Sequence, residues 1–451
     1  MNRNRKLRPA SVSGADFSRQ TDGMAEPQAH AALHTLSGTA LGRIRASGQP
    51  IEAFRGIAIY DTSKDEIFMS LDGFEAAEQA LASIPSLQER YGVDQASRLA
   101  LQFIYELLGR LHEPVFDEEL FESLWVDFLA ELAEPQWLFR GVANVRFLVA
   151  EGPSFDLGDG VSIKGRSIEE LSELGFSDPV LAGLFDDWAG FGASSYIMLV
   201  EDRLDKSPDN FVLSSNPTLF CKAQRALSAL RLLAPGDIGI GRMLVGRAAR
   251  FNVGLGGTDI VGHSVPSFGS ELQLTESIAA AVPAMYDALR RLETQGYVGA
   301  PGNLDLARRS FRATYDRSAA GGDSRVLDAI TALEAVLGSG EGEITFKLSF
   351  RVAGILAADD AERVRIFNEM KAYYDLRSKL VHGASLKEKH HRLIADVEPL
   401  RHLVRELLRS LIHMALTPGH PYSKRFFDER LDAALLDKAE RDRLRSTLGM
   451  V

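Results

Sequence analysis

The sequence predicts an α+β protein, a mixed α/β N-terminal region followed by an all-α helical bundle. Three observations carry this. Short strand-like apolar runs alternate with helical patterns up to about residue 296. From residue 303 onward apolar residues recur only at helical spacing. Between them stands Gly299-Ala300-Pro301-Gly302, a turn-forming cluster that reads as a connector.

Residues 1–48 are rich in Arg, Ser, Gly, Ala and Gln and carry little periodic hydrophobicity, so they read as a disordered basic leader. Arg3, Arg5, Lys6 and Arg8 open it, but no apolar run follows, which excludes a signal peptide. Ile57–Tyr60 and Ile67–Leu71 look like short strands. Asp94–Leu111 sets Leu99, Phe103, Leu107 and Leu111 at helical spacing. Glu113–Glu134 has eight acids and no base, threaded by Val115, Leu120, Leu124 and Phe128, and predicts a helix with one buried and one acidic face. Gln136–Ala150 is β-like. A turn at Leu157-Gly158-Asp159-Gly160 precedes a helix from about Ser167, a buried strand at Ser194–Val200 and a helix from Asn216 to Leu233, stopped by Pro235-Gly236. Ile238–Val245 and Ala249–Leu255 look like paired strands, and Thr275–Gly296 like a helix closed by its glycine. Helices then follow at about 303–317, 324–337, 344–357, 361–382, 390–416 and 424–447. The expected organisation is a leader (1–48), a mixed α/β domain (49–298) divided near residue 152, and a helical bundle (303–451).

A chain of 451 residues exceeds one core and predicts two or three domains. Its single cysteine, Cys221, excludes an intrachain disulfide and a cysteine-based metal cluster and fits a reducing cytoplasm. No apolar run reaches the roughly 18 residues of a membrane span. The net charge of -11 opposes a nucleic-acid partner, yet it is unevenly spread. Residues 301–451 hold 25 Lys+Arg against 22 Asp+Glu, whereas the preceding 300 hold 26 against 40. Such asymmetry points to different tasks for the two regions.

Most chemical motifs fail on context. The glycines of GDIGIG (Gly236, Gly239, Gly241) and GLGG (Gly254, Gly256, Gly257) stand before or between strand-like runs, not between a strand and a helix, so tight turns explain them better than phosphate binding. His390 and His391 are adjacent and point apart on a helix. His402 and His413 stand eleven apart and can share a helical face, where satisfied helix histidines are the commoner case. Ser194-Ser195 and Ser214-Ser215 lack the glycines of a nucleophile elbow. No metal and no cofactor is expected.

One helix end stands out: Tyr374-Asp375-Leu376-Arg377-Ser378-Lys379-Leu380-Val381-His382-Gly383. The stripe Val364, Phe367, Met370 and Tyr374 predicts docking in a core. Gly383 is a natural left-handed cap, so His382 falls in the last turn, where the helix dipole favours a cation. A histidine suits proton transfer near neutral pH, and the Arg377 fork suits a phosphate. An Arg-x4-His pair arises about once by chance in such a composition, so spacing alone decides nothing.

The surroundings carry more. With Arg308-Arg309-Ser310-Phe311, the run Leu327–Leu337 and the run Glu343–Ala353, the motif resembles the HEPN domain family, in particular its Apea-like branch, over about residues 303–416. The resemblance implies a helical bundle that pairs as a homodimer, and in active members a metal-independent endoribonuclease serving phage defence or toxin-like responses. It implies Arg377 as phosphate anchor and His382 as acid/base, supported by Ser378, Glu334, Arg351, Asp375 and Lys379, with RNA as the partner. Catalytic members commonly place Asn, Asp or His after the arginine. Here it is Ser378, which hydrogen-bonds but does not titrate near neutral pH. Other members bind RNA, a nucleotide or a protein partner without cutting. The acidic N-terminal region would then sense or regulate.

Overall fold

The computed structural model describes residues 15–54, 63–166, 196–207, 217–247, 269–294, 302–316, 321–338, 344–417 and 424–449. The protein is α+β, with a small sheet and a helical C-terminal region, as its sequence predicts. Two compact units form, one from residues 1–140, 202–216 and 245–259, the other from 141–201, 217–244 and 260–451.

The first unit begins with α1 (Ala15–Ser47), where composition predicts a disordered leader. Its Ala29, Leu33, Leu36, Ala40 and Ile44 recur at helical spacing and are all buried, a stripe that the polar residues between them hide in the sequence. Arg3, Arg5, Lys6 and Arg8 lie outside the described residues. Then come α2 (Ser63–Met69), α3 (Phe74–Ala82), α4 (Pro85–Tyr91), α5 (Ala96–Arg110) and α6 (Glu118–Ala133). The expected strand at Ile67–Leu71 is the end of α2 and a turn, since Ile67 and Phe68 serve a helix packed on α3 and α5. The expected strand at Ile57–Tyr60 lies outside the described residues. The α5 stripe is buried as expected, whereas Val115 precedes α6 and is exposed. Asp117 caps α6 by accepting the Leu120 N–H at 3.0 Å.

Lys206 sits in this unit with its ammonium inside the fold. Its Nζ lies 4.6 Å from the Trp137 ring centroid, donates to the Tyr91 hydroxyl at 3.0 Å and also bonds the Glu131 carbonyl. Burial pushes the Lys206 ammonium down to about 8.

The strands are β1 (Gln136–Arg146), β2 (Leu148–Ala150), β3 (Ser154–Gly158), β4 (Val161–Gly165), β5 (Tyr196–Asp205), β6 (Gly239–Arg247) and β7 (Leu272–Leu274). Five make a sheet ordered β3-β4-β5-β1-β6, antiparallel from β3 to β5, with Ile163 opposite Met198. β2 and β7 pair in parallel. Gly158, Asp159 and Gly160 all take positive φ in the β3–β4 turn, as the turn-rich sequence predicts. Gly236 also serves a turn: at φ 127 a Cβ would stand 2.6 Å from Leu272 backbone. Gly239 and Gly241 lie within β6. The expected helix from Ser167 and strand at Ala249–Leu255 lie outside the described residues.

In the second unit the helices are α7 (Pro217–Leu233), α8 (Glu276–Thr294), α9 (Gly302–Asp316), α10 (Gly322–Leu337), α11 (Ile344–Leu356), α12 (Asp360–His382), α13 (Glu388–Ala395), α14 (Glu398–Leu416), α15 (Lys424–Leu436) and α16 (Lys438–Thr447). The boundary expected at 299–302 falls inside this unit. Arg308 on α9 bonds Glu293 on α8 at 2.7 Å, and α14 packs on α7, α8 and α9, so the cluster separates two packed helices and not two domains. The single helix expected over 390–416 breaks at Asp396 and Val397, because Pro399 has no N–H to bond back to Ala395 and suits only the first turn of a new helix. That over 424–447 breaks at Asp437, whose carboxylate accepts the Ala439 N–H at 2.7 Å and starts α16.

The centre of this unit is ionic. Arg401 donates from Nη1 to Asp237 at 2.7 Å and from Nε to Thr314 Oγ1 at 3.2 Å, and it also bonds the Thr314 carbonyl. Arg405 donates to the Arg231 carbonyl at 2.8 Å and to Glu398 at 2.6 Å. Arg231 pairs with Asp316 at 3.0 Å. The guanidiniums of Arg401 and Arg231 stack on Tyr315, at 4.1 and 4.5 Å from its ring centroid. Charges removed from water in this way hold only because each finds a partner.

Candidate functional site

The 23-residue helix α12 carries the motif. Asp359 starts it, accepting the Glu362 N–H at 2.8 Å. The buried residues are Ile366, Met370, Tyr373, Tyr374 and Leu376, so Met370 and Tyr374 of the expected stripe are buried, whereas Val364 is 61% exposed and Phe367 half-buried. Apolar residues lie on more than one side of α12, and Phe367 itself meets Phe346 and Phe350 of α11 edge to face. Gly383 ends the helix at φ 65, ψ 26, and both its N–H and that of Ala384 turn back to the Lys379 carbonyl, as the capping pattern predicts.

Arg377 and Glu334 come together. Arg377 Nη2 donates to Glu334 Oε2 at 3.4 Å, and the Tyr374 hydroxyl donates to Glu334 Oε1 at 3.0 Å. The Arg377 guanidinium lies 5.5 Å from the Tyr374 ring centroid. Burial, then the bond to Glu334, raises the Tyr374 hydroxyl above its ordinary value, so it stays a donor. Two residues from different helices thus tether one fork while leaving it about a third exposed. A guanidinium fixed in direction, with N–H groups to spare, is suited to a phosphate.

His382 is exposed in the last turn of α12, and its ring makes no hydrogen bond or ion pair among the described residues. Ser378 is half-buried, one position after Arg377. An imidazole with both nitrogens available can give or take a proton, and Arg377 stands five residues before it on the same helix.

Asp375 belongs to a neighbouring cluster. Its Oδ2 lies 3.0 Å from His390 Nε2 and 3.3 Å from Lys389 Nζ, and Lys379 stands 3.9 Å from Oδ1. The His390 hydrogen bond, opposed by partial burial and helped by the two lysines, holds the Asp375 carboxyl below its usual range. His390 is wholly buried, and its Nδ1 accepts the Lys387 N–H at the start of α13. The sequence reading set His390 aside with His391. The useful signal was its place at the third residue of α13, where a side chain can reach back to the capping N–H.

Arg351 does not join Arg377. It is buried on α11, donating to the Leu337 carbonyl at 2.7 Å and to Asp432 of α15 at 2.8 Å, so it ties the end of α10 to α15. Tyr374 is the tethering residue that the sequence reading missed; only its place in the quoted motif hinted at it.

Among the described residues, no group of three or more His, Cys, Asp or Glu side chains could hold a metal ion. No helix among them is long and apolar enough to cross a membrane. No family model, no curated protein and no solved structure matches this chain.

Proposed function

We propose that the C-terminal helical region is a HEPN-like module of the Apea-like kind that cleaves RNA without a metal, through Arg377 and His382 of two copies meeting at one cleft. The observation that supports this best is the pairing of opposite states on one helix end: a tethered guanidinium and an unbonded, exposed imidazole. In this reading His382 takes the proton of a ribose 2′-hydroxyl, whose oxygen attacks the adjacent phosphorus. Arg377 balances the charge gathering on the phosphoryl oxygens. The His382 of the second copy gives a proton to the departing 5′-oxygen, leaving a 2′,3′-cyclic phosphate and a 5′-hydroxyl. One chain supplies one Arg–His pair, so the dimer is part of the proposal. A role in phage defence or a toxin-like stress response would follow from such cleavage.

The test is incubation of the full chain with end-labelled RNA in EDTA. Wild type should yield cyclic-phosphate ends, and Arg377→Ala or His382→Ala should lower the rate by about 100-fold or more. Absence of cleavage by wild type, or unchanged cleavage by His382→Ala, refutes it. Expression in cells should be toxic for wild type and tolerated for the double variant.

The ion pair between Arg377 and Glu334, with Ser378 beside it, favours a second reading, a module that holds RNA, a nucleotide or a protein partner without chemistry. It requires RNA binding that survives His382→Ala, with no product in any condition.

A further inference from the structure

A cleft of about 530 Å³ opens in the second unit, between the N-terminal half of α12, the outer face of α14 and the end of α16. Along α14 its wall is the stripe His402, Glu406, Arg409, Ser410 and His413, residues that helical spacing stacks on one side. On an ordinary amphipathic helix such a stripe faces open water. Here Arg445 and Leu448 of α16 and Glu362 and Arg365 of α12 stand across from it, over a floor that includes Leu356, Ile366 and Leu403.

Hydrogen-bonding groups in this cleft are left over. Ser410 is 8% exposed, and its hydroxyl has no partner among the described residues. That hydroxyl borders the cleft and is free to bond a ligand there. The rings of His402 and His413 are likewise unbonded among the described residues. Arg409 uses only Nη1, toward Glu406 at 3.0 Å, and Arg445 only Nη1, toward the Ile355 and Ala357 carbonyls. Both forks keep Nε and Nη2 for something else.

We propose that this cleft binds a nucleoside monophosphate, a phosphomonoester joined to a flat, partly apolar body. Two guanidinium forks, a hydroxyl and two imidazoles supply more donors than a single carboxylate can accept, and they match the three terminal oxygens of a phosphate. Glu362 and Glu406 accept from sugar hydroxyls, and the apolar floor takes the base. The volume fits a ligand of that size. Arg365 and Arg377 lie twelve residues apart on α12, about 18 Å at 1.5 Å per residue, so this is a separate site that does not rest on the ribonuclease reading.

Isothermal titration of the full chain with AMP, GMP, CMP and UMP, and with adenosine and inorganic phosphate alone, tests it. At least one monophosphate should bind at least about tenfold tighter than either half. Arg409→Gln/His413→Gln, both at exposed or half-exposed positions, should weaken it at least about tenfold, and Ser410→Ala severalfold. Arg377→Ala/His382→Ala should bind as wild type does, and binding should slow amide exchange over 402–413 and 445–449. No binding by any monophosphate near 1 mM, on the order of -4 kcal/mol, overturns the proposal. So does full affinity in the Arg409/His413 variant.

Discussion

His390 and Asp375 join α13 to α12: the imidazole Nε2 lies 3.0 Å from the carboxylate while Nδ1 accepts the Lys387 backbone N–H. Because Nδ1 is the acceptor, Nε2 is the donor. Asp375→Ala leaves that buried N–H unpaired and should lower stability by about 1–3 kcal/mol in urea denaturation, with faster exchange over 384–396. The folded Asp375 carboxyl is held low, so its contribution is whole above its ordinary titration range and fades as pH falls through the folded value. Wild type and variant should therefore converge below about pH 4.

Glu334 tethers Arg377 and Tyr374 together, one through each carboxylate oxygen. If phosphate anchoring depends on this, Glu334→Ala should raise the KM for RNA by about fivefold or more with the helical content unchanged, because a wandering fork loses orientation. Tyr374→Phe should give a smaller effect in the same direction. Steady-state cleavage kinetics separate the two.

Asp237 and Arg401 form a pair sunk in the second unit. Burial pushes the Asp237 carboxyl up, but Arg401 and the Ser270 N–H outweigh burial and leave it below its usual value. Asp237→Ala should cost about 3–5 kcal/mol by stranding Arg401. Adding Arg401→Met should restore much of the loss, a coupling that a double-mutant cycle of unfolding energies would show.

Lys206 titrates where the first unit can be watched. Its folded value of about 8 lies below that of an unfolded lysine, so the unfolded chain holds the extra proton between about pH 8 and 10.4. Stability of this unit should be lowest below pH 8 and rise across that window. Tryptophan fluorescence in urea at pH 7.5 and 9.5 should report the rise, and Lys206→Met should flatten it.

The sequence makes most of the helical region legible because its apolar residues recur at one period and its glycines and prolines mark the ends. Gly383 gives the end of α12 to the residue. The α1 stripe was hidden because two of its five residues are alanines and a helix interior with Pro27 looks like leader composition. Arg377 and His382 were readable as residue types on one helix. Their surroundings were not, since Glu334 lies 43 positions away and no period links it to Arg377. The cleft around Ser410 was least readable, because a polar stripe looks the same facing water or facing a cavity wall.

The arginines of α14 have a mechanical consequence. Leu400, Leu403, Leu407 and Leu411 alone would let the helix slide by a turn, each leucine taking the seat of the next. Arg401 and Arg405 oppose it: a 5.4 Å shift brings one arginine to the other's seat but leaves the second guanidinium without its carbonyl, Thr314 or Arg231. They act as detents that index the helix along its axis. The heights of His402, Ser410 and His413 in the cleft wall are thereby set from a neighbouring side of the same helix.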